Sequence, residues 1–521
     1  MSGQRAETRT PTPRVPPTHL LLIPQNLSLS LSFSLSKQSV DFSHLARALA
    51  GASADAHTAR GAPFTPWATE DVIRLDSAGG DPPAAAPPGA AQRAAWRAAG
   101  LRAVGGGRVA VVVLAGGQGT RLGSAAPKGC YDIGLPSGVS LYGLLAARVL
   151  KLRRLAAGKG GDDGHQAGAP GRSEEGGTEG GRHLPLAPLT LYVMTSRATH
   201  AATVAHFAAA ANFGLGPRGV AFVCQGELPV TGAPGTAAAG RVLLATPSTL
   251  ARAPDGNGGL YGALARSGAL GRMQGDGVAV VDVVCVDNAL AAPGDPTFLG
   301  ACLSSTPAFA VGCRALRRGS PAEKVGVFAR DAGGALRVLE YSELSADDAA
   351  ATVERAAGSG GEGDRAGRDL RYGWANICMH AFSLPFLLST AASFEGRALY
   401  HAATKPVPTV EGPTPATKLE LFIFDAFDAA PPGSVVVAGV DRAAAFAPVK
   451  AATGTDTPAD ARAAVLARGA AWVRAAGGRV ATPPGVEVGP AVSLDGEGLE
   501  EVAGREVVEE GDALLGGVND A

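Results

Sequence analysis

The middle of the chain alternates between short aliphatic runs and alanine-rich stretches that mix apolar and polar positions. The aliphatic runs predict buried β-strands, and the alanine-rich stretches predict helices. Strands are expected at Val109–Ala115, Leu189–Met194, Val220–Cys224, Val278–Val286 and Ala308–Cys313, and helices at Leu141–Leu155, Thr199–Ala211 and Leu260–Met273. This order predicts an α/β fold of Rossmann-like type, with a mainly parallel sheet and helices on both faces. In such a sheet, ligands bind beyond the carboxyl ends of the strands.

The sequence on either side of this pattern predicts smaller additions. In chain order we expect a small helical region at 41–104, a catalytic domain at 105–440 and a small C-terminal domain at 441–521. Beyond Gly477 the chain is rich in valine and punctuated by glycine and proline, which favours a β-rich appendage. Two segments, near 158–181 and 356–368, are dominated by glycine and charged residues, so they are predicted to be disordered insertions.

Residues 1–40 have a composition of their own. They are rich in arginine, proline and serine, and Glu7 is their only acidic residue. Such a segment is either a disordered terminus or an organelle transit peptide. The sequence pattern leaves both interpretations open.

Composition narrows the kind of partner. The net charge is −1, which gives no electrostatic reason to expect nucleic acid or an anionic membrane surface, and no run of 18 apolar residues predicts a membrane span. The six cysteines include no C-x-x-C pair and the histidines no H-E-x-x-H, so neither a disulfide framework nor a zinc site is expected. Reduced thiols favour a cytoplasmic location. The expected partner is a small molecule, and the oligomeric state stays open.

A glycine-rich turn follows the first of the predicted strands. It holds Gly116, Gly117, Gly119 and Gly123, with Arg121 and Lys128 as the nearby cations. The glycines allow the backbone positive φ angles and close approach, so that successive N–H groups can point at one anion. A P-loop is excluded because no Ser or Thr follows Lys128, and the glycine spacing does not fit the dinucleotide-binding fingerprint. The turn therefore predicts a phosphate-binding loop of another type.

Three further features are candidates for contact with a ligand. Gln225 follows Val220–Cys224, and its amide offers both a donor and an acceptor to a pyrimidine edge. A second glycine-rich turn, at 254–261, suits close approach by a nucleobase or a sugar, but also an ordinary helix start. Asp287 ends the strongest predicted strand as either a Mg²⁺ ligand or a turn residue.

Six motifs together resemble one family. They are Leu114-Ala-Gly-Gly-Gln-Gly-Thr-Arg-Leu-Gly, Pro127-Lys-Gly-x-Tyr-Asp-Ile-Gly-Leu-Pro-Ser, Gln225-Gly-x-Leu-Pro, Ala253-Pro-Asp-Gly-Asn-Gly-Gly-Leu-Tyr, Cys285-Val-Asp-Asn and Glu340-Tyr-Ser-Glu. In this order they are similar to the eukaryotic UDP-N-acetylglucosamine (UDP-N-acetylhexosamine) pyrophosphorylases. The resemblance implies that UTP and N-acetylglucosamine 1-phosphate react, with Mg²⁺, to give UDP-N-acetylglucosamine and pyrophosphate. It also implies direct in-line attack on the α-phosphorus, without a covalent enzyme intermediate.

The resemblance also implies residue roles. Arg121, Lys128 and Lys450 would be catalytic, Asp287 would hold the metal, and Asn257, Glu340 and Asn376 would face the sugar. UTP would be bound by Leu114, Ala115, Gly116, Gly117, Gln225, Gly256 and Lys418. Lys418 is expected at the start of an amphipathic helix, Leu419–Phe427.

The departures from the family pattern lie on the sugar side. The family's Phe-Asn-Ala-Gly-Asn-Ile is replaced by Tyr372-Gly-Trp-Ala-Asn-Ile, and Ala451 stands where the family has asparagine. Two alternatives therefore stay open: a pyrophosphorylase for glucose or galactose 1-phosphate, and a non-catalytic sensor of nucleotide sugars.

Overall fold

The computed structural model describes residues 45–49, 64–75, 89–158, 189–354, 368–397, 399–481, 485–507 and 514–515. The segment 1–40 lies outside the described residues. The two predicted insertions do too, apart from their end residues 158 and 368.

An eleven-stranded sheet forms the centre of the fold. Its strands are β1 (Thr65–Pro66), β2 (Val72–Arg74), β3 (Val109–Leu114), β4 (Leu191–Thr195), β5 (Val220–Cys224), β6 (Val280–Cys285), β7 (Val311–Arg317), β8 (Val327–Arg330), β9 (Leu336–Leu339), β10 (Trp374–Ser383) and β11 (Val435–Gly439). Eight of them follow the order β2-β11-β7-β10-β6-β3-β4-β5, and β1, β8 and β9 branch from it beside β10. The pairs β2/β11, β11/β7, β6/β3, β3/β4 and β4/β5 are parallel, whereas β10 is antiparallel to β6 and β7. The predicted mainly parallel α/β fold is confirmed.

The position of β3 in the sheet explains why its sequence is continuously apolar. All six of its residues are buried, and alternate side chains enter two different hydrophobic cores. Val109, Val111 and Val113 pack into one core, and Ala110, Val112 and Leu114 into the other. A strand covered on both faces has no position left for a polar side chain.

Helices cover the two faces of the sheet with apolar residues, which form the two hydrophobic cores. The α-helices in the described residues are 45–49, Ala90–Gly105, Leu141–Gly158, Arg197–Ala209, Leu260–Arg266, Ala269–Gly275, Pro296–Leu303, Ala346–Ala350, Leu384–Arg397, Arg442–Ala445 and Pro458–Ala475. The 3₁₀ helices are Thr69–Asp71, Thr120–Leu122, Lys128–Cys130, Ala211–Gly214, Asn257–Gly259, Ile423–Ala429 and Glu500–Val502. One core takes residues from Leu141–Gly158, Pro296–Leu303 and Pro458–Ala475, and the other from Leu260–Arg266, Ala269–Gly275 and Leu384–Arg397.

Several predicted elements are corrected. The helix predicted at Leu260–Met273 is two helices, because Gly268 between them takes a left-handed conformation with φ of +69°. The helix predicted at Leu419–Phe427 is wrong: Gly412–Glu420 is a strand, and Ile423–Ala429 is a 3₁₀ helix. The region 41–104 contains strands β1 and β2 as well as helix. The backbones of these two strands pair with β8 and β11 of the large sheet, so this region is not wholly helical.

The shorter sheets complete the fold. Their paired strands are Glu227–Pro229 with Arg252–Pro254, Leu244–Thr246 with Thr249–Leu250, Thr352–Glu354 with Arg368–Leu370, Arg479–Val480 with Glu506–Val507, Glu487–Val488 with Leu514–Leu515, and His401–Thr409 with Gly412–Glu420 and Thr231–Gly232. The expected short strands after Gly477 are present, packed beside the long helix Pro458–Ala475. That helix begins at a capping box, in which Thr457 and Asp460 each accept a hydrogen bond from the other's backbone N–H.

Contacts divide the chain into two compact units, and this division differs from the domains expected from the sequence. The described part of the first unit is 45–49, Leu228–Ala253 and Ala402–Leu419, with a small core of its own around Val230 and Val407. The second unit holds the large sheet and also the described residues of 441–521. None of the helices in the described residues is long and apolar enough to cross a membrane.

Candidate active site

The carboxyl ends of β3 and β6 lie side by side in the large sheet. The two strands are parallel, and Leu114 at the end of β3 is paired with Cys285 at the end of β6. After β3 the chain adds β4 and β5 on one side before β6 takes the other side. This is a point where the strand order reverses, and open α/β sheets bind their ligands at such points. The glycine-rich turn after β3 and Asp287 after β6 therefore begin next to each other.

The glycine-rich turn is closed by its own backbone. Gly119 N donates to Ala126 O at 3.0 Å, and Lys128 N donates to Gly117 O at 3.2 Å. Of its four glycines, only Gly123 has a positive φ, at +73°. Gly116, Gly117 and Gly119 do not use the positive φ that glycine allows, and the turn reverses through a 3₁₀ helix at Thr120–Leu122.

Gly116 is needed for a different reason, which is space. A side chain there would collide with Oε1 of Gln225, which lies against the Gly116 backbone. The Gly116 carbonyl accepts a hydrogen bond from Ser196 Oγ at 2.8 Å. On the other side of Gln225, its Nε2 donates to Gly256 O at 3.0 Å. The structure thus brings together Gly116, Gln225 and Gly256, three of the residues expected to bind UTP, and Leu114, Ala115 and Gly117 lie on the same strand and turn.

Asp255 is a residue of this group to which the sequence assigned no role. It is buried, and its Oδ1 accepts a hydrogen bond from Gln225 Nε2 at 3.0 Å. Burial raises the pKa of the Asp255 carboxyl to about 6. Side chains at Gly226 or Gly259 would meet this carboxylate, so the two glycines make room for it. In the sequence, the indication of a role for Asp255 was its position in the 254–261 turn, next to Gly256 and Asn257.

Lys128 and Asp287 form an ion pair at this edge of the sheet. Lys128 Nζ lies 3.2 Å from Asp287 Oδ2, and the two side chains are 17% and 28% exposed. A cation and a carboxylate in contact, both reachable from solvent, fit a site for a phosphate group and a metal ion. Mg²⁺ typically takes one or two protein carboxylates and completes its shell with water and substrate phosphates. Within the described residues no group of three or more His, Cys, Asp or Glu side chains could hold a metal, so a cage made wholly of protein does not form there.

Lys450 reaches this edge through a segment docked beside Asp287. The Asp287 carbonyl accepts from Val449 N at 2.8 Å, and Asn288 donates through Nδ2 to Ala445 O at 2.7 Å. Lys450 Nζ itself lies 3.0 Å from Asp456 Oδ2, in a half-exposed ion pair. The sequence assigned no role to Asp456 or to Asn288, although Asn288 lies in the motif Cys285-Val-Asp-Asn.

Arg121 lies at the far end of the glycine-rich turn. Its carbonyl accepts a hydrogen bond from Ala452 N at 3.0 Å, which ties the turn to the segment that follows Lys450. Its guanidinium is exposed and makes no hydrogen bond or ion pair with the described residues. The side chain is therefore available to an anion.

Two of the three residues expected to face the sugar are connected through Cys378. Asn376 Oδ1 accepts from Cys378 N at 2.9 Å, and Asn257 Nδ2 lies 3.6 Å from Cys378 Sγ. Cys378 has a positive φ of +54°, next to an irregularity in the pairing of β10 with β7. This bulge turns the Asn376 amide toward the following backbone. Asn257 Oδ1 is in turn fixed by Ile423 N at 3.0 Å.

Glu340 is the third residue of the sugar side. It is partly buried, and this burial together with repulsion from Glu343 raises the pKa of its carboxyl to about 7. A side chain at Gly326 would meet its Oε1. Asn376 N donates a hydrogen bond to Gly326 O at 2.8 Å, so Glu340 and Asn376 lie on either side of the same glycine. Lys418, by contrast, lies on the strand Gly412–Glu420 within the first unit, and its role stays a prediction.

Comparison with known proteins agrees with this geometry. A model of the family described as UTP–glucose-1-phosphate uridylyltransferase matches residues 184–356. UDP-N-acetylglucosamine diphosphorylase 2 of Arabidopsis thaliana is 42% identical over 417 residues, covering 78% of this chain and 75% of that protein. The UDP-N-acetylglucosamine pyrophosphorylase of Saccharomyces cerevisiae is 34% identical and covers 79% of each chain. The structure of the Trypanosoma brucei uridine diphosphate N-acetylglucosamine pyrophosphorylase has a TM-score of 0.72 at 27% identity, covering 91% of this chain and 88% of that one.

Fold, site and sequence similarity together define an enzyme of the UDP-sugar pyrophosphorylase class. Enzymes of this class use a divalent metal. Within the class, this chain belongs to the UDP-N-acetylglucosamine pyrophosphorylase family.

Proposed function

We propose that this enzyme transfers the uridylyl group of UTP to N-acetylglucosamine 1-phosphate, giving UDP-N-acetylglucosamine and pyrophosphate. The observation that carries the proposal is the Lys128–Asp287 pair, 3.2 Å apart, at the carboxyl ends of two adjacent parallel strands. Such a pair supplies one cation and one carboxylate of the kind that binds a metal, next to the glycine-rich turn after β3.

The chemistry needs positioning and charge neutralisation more than proton transfer. An oxygen of the sugar phosphate forms a bond to the α-phosphorus of UTP, while the bond from that phosphorus to the pyrophosphate oxygen breaks. The attacking phosphate is already ionised near neutral pH, so no general base is required. Arg121, Lys128 and Lys450 would neutralise the negative charge of the phosphates as it shifts toward pyrophosphate.

Asp287 would hold the metal, and we propose that the metal is Mg²⁺. The ion that Asp287 would hold supplies positive charge that neutralises part of the charge of the phosphates. Lys128 would keep Asp287 in place before the ion binds, because the two side chains already form an ion pair. Leu114 to Gly117, Gln225 and Gly256 would hold the uridine.

The packing of Trp374 bears on the choice of sugar. This residue departs from the family pattern, but it is 4% exposed and its ring stacks on the guanidinium of Arg317, 4.1 Å from the ring centroid. Its indole N–H donates to Thr69 Oγ1 at 3.3 Å. The extra ring fills the core, so the departure gives no steric reason to reject an N-acetyl group. Asn257, Glu340 and Asn376 would contact the sugar.

Pyrophosphate release, measured with UTP and Mg²⁺, tests the proposal. We expect release with the 1-phosphates of N-acetylglucosamine or N-acetylgalactosamine to exceed release with those of glucose and galactose. A preference for glucose or galactose 1-phosphate would move the enzyme to the other branch of the class. Binding of UTP without release with any of the four sugars would contradict catalysis altogether.

The raised pKa of Glu340 predicts a pH dependence. The carboxylate can accept hydrogen bonds from sugar hydroxyls, whereas the protonated form offers one acceptor fewer. Because the pKa of Glu340 is about 7, its ionised fraction falls as the pH drops through 7. We expect kcat/KM for the sugar phosphate to fall correspondingly below pH 7, while KM for UTP changes little.

The control for this prediction is Glu340→Gln, measured over the same pH range. The sugar phosphate itself protonates near pH 6, so both enzymes lose activity in more acidic buffer. The descent near pH 7 is expected in the wild type only. If the two profiles coincide in shape, Glu340 does not titrate in this reaction.

A further inference from the structure

The loop directly after Asp287 and Asn288 is held in an unusual way. Its four residues, Ala289 to Ala292, belong to no helix or strand, yet three of the four are almost fully buried. A buried carbonyl without a donor costs on the order of 1–3 kcal/mol. Each of the four carbonyls of this 289–292 loop accepts a hydrogen bond from an arginine side chain.

These four hydrogen bonds come from three arginines on three different elements. Arg148, on the helix Leu141–Gly158, donates to Ala289 O at 2.8 Å and to Ala291 O at 2.7 Å. Arg314, on β7, donates to Ala292 O at 2.9 Å and is paired with the buried Asp282 at 2.7 Å. Arg468, on the helix Pro458–Ala475, donates to Leu290 O at 3.2 Å.

Arg468 makes a second contact that connects two parts of the site. The same Nη1 that contacts Leu290 also lies 3.3 Å from Ala444 O, in the helix just before the segment that carries Lys450. That segment is attached to Asp287 and Asn288 by backbone and side-chain hydrogen bonds. One guanidinium therefore contacts both the loop that follows Asp287 and the helix that precedes Lys450.

Packing alone does not fix the loop. A cavity of about 520 Å³ lies against it, lined by Leu290 and Ala292 and by the three arginines. A backbone that borders a cavity has fewer neighbouring atoms to restrain it, so the arginine hydrogen bonds carry more of the restraint.

We propose that Arg468, with Arg148, is a positioning residue for uridylyl transfer. The two guanidinium groups fix the 289–292 loop and, through it, the separation of Asp287 and Lys450 across the reacting phosphates. This inference rests on the proposed roles of Asp287 and Lys450. A misplacement of about 1 Å can cost up to about 10²-fold in rate, so the expected effect is in kcat and not in UTP binding.

The test uses the full chain with Arg468→Ala, Arg468→Lys and the control Arg474→Ala. Arg474 lies on the same helix, is exposed, and its side chain makes no hydrogen bond, ion pair or ring contact with the described residues. In Arg468→Ala we expect kcat to fall about 10-fold to 100-fold with KM for UTP within about twofold of wild type. Hydrogen exchange of the metal-free protein should speed up in 286–292 and 444–452. Arg474→Ala should match wild type in every measurement.

Arg468→Lys keeps the charge but has no fork, so it should restore only part of the lost kcat. If Arg468→Ala does not fold, the kcat of Arg468→Lys tests the inference in its place. Wild-type kcat in a folded Arg468 variant, or exchange that rises only outside the two segments, would overturn the inference. Wild-type kinetics in Asp287→Asn and Lys450→Ala would instead overturn the proposed site, and this inference with it, whatever the Arg468 variants do.

Discussion

Lys128→Ala is expected to lower kcat by roughly 10²-fold to 10³-fold, the cost of removing one preorganised charge from a partly dehydrated reaction site. Lys128 suits this role because its side chain is only 17% exposed and its ammonium points to the same edge of the sheet as Asp287. In such surroundings its attraction to a phosphate is screened less than on an open surface. Its loss should appear in turnover, because the charge on the phosphates moves toward pyrophosphate as the reaction proceeds.

The matched control is Lys151→Ala. Lys151 lies on the helix Leu141–Gly158 and makes no hydrogen bond or ion pair with the described residues, so its removal tests the loss of a charge alone. Lys128→Arg keeps the charge in a different shape and should recover part of the activity. Thermal unfolding of each variant separates a folding defect from a catalytic one. A Lys128→Ala enzyme that is folded and turns over within a few-fold of wild type would exclude Lys128 from the mechanism.

The fold could be predicted well from the sequence because the strands are buried on both faces. Strands β3 and β6 are apolar throughout except for Asp282, and a run of that kind has few other structural solutions. Prediction failed at Leu419–Phe427, where the apolar spacing resembled a helix but the chain continues as a strand into Glu420. Local periodicity cannot distinguish a helix from a strand when the strand partner, here Thr231–Gly232, lies almost 200 residues earlier in the chain.

The residues of the site also fall into those that the sequence could identify and those that it could not. Residues in contiguous motifs, such as Gly116 and Lys128, could be named from the sequence because their chemistry and spacing are local. Arg148 and Arg468 could not, since each looks like an ordinary polar position on a helix. Their role depends on three backbone carbonyls of the 289–292 loop that only the folded chain presents to them. Asp456 received no role for a similar reason. It meets Lys450 only because the backbone between the two residues folds back on itself.

Asp287→Asn is the second variant for which a large loss is expected. The amide keeps the size of the side chain but removes the charge that would hold the metal. Loss of even an outer partner of a metal ligand costs 10-fold to 100-fold in affinity or activity, so at least about that increase is expected in the Mg²⁺ concentration for half-maximal rate. The measurement is a Mg²⁺ titration of pyrophosphate release, together with Mn²⁺ binding followed by electron paramagnetic resonance in the presence of UTP. Asp347→Asn, an exposed aspartate on a short helix, is the control.

Asp287 could also act only through Lys128, because the two side chains touch. The two roles predict different results. If Asp287 holds the metal, raising Mg²⁺ should recover part of the lost rate, and Lys128→Ala should not shift the titration as far. If Asp287 only positions Lys128, the Mg²⁺ titration stays unchanged and the double variant is no slower than Lys128→Ala. Two residues in contact are expected to be non-additive in either case, so the metal titration, and not the size of the loss, assigns the role of this carboxylate.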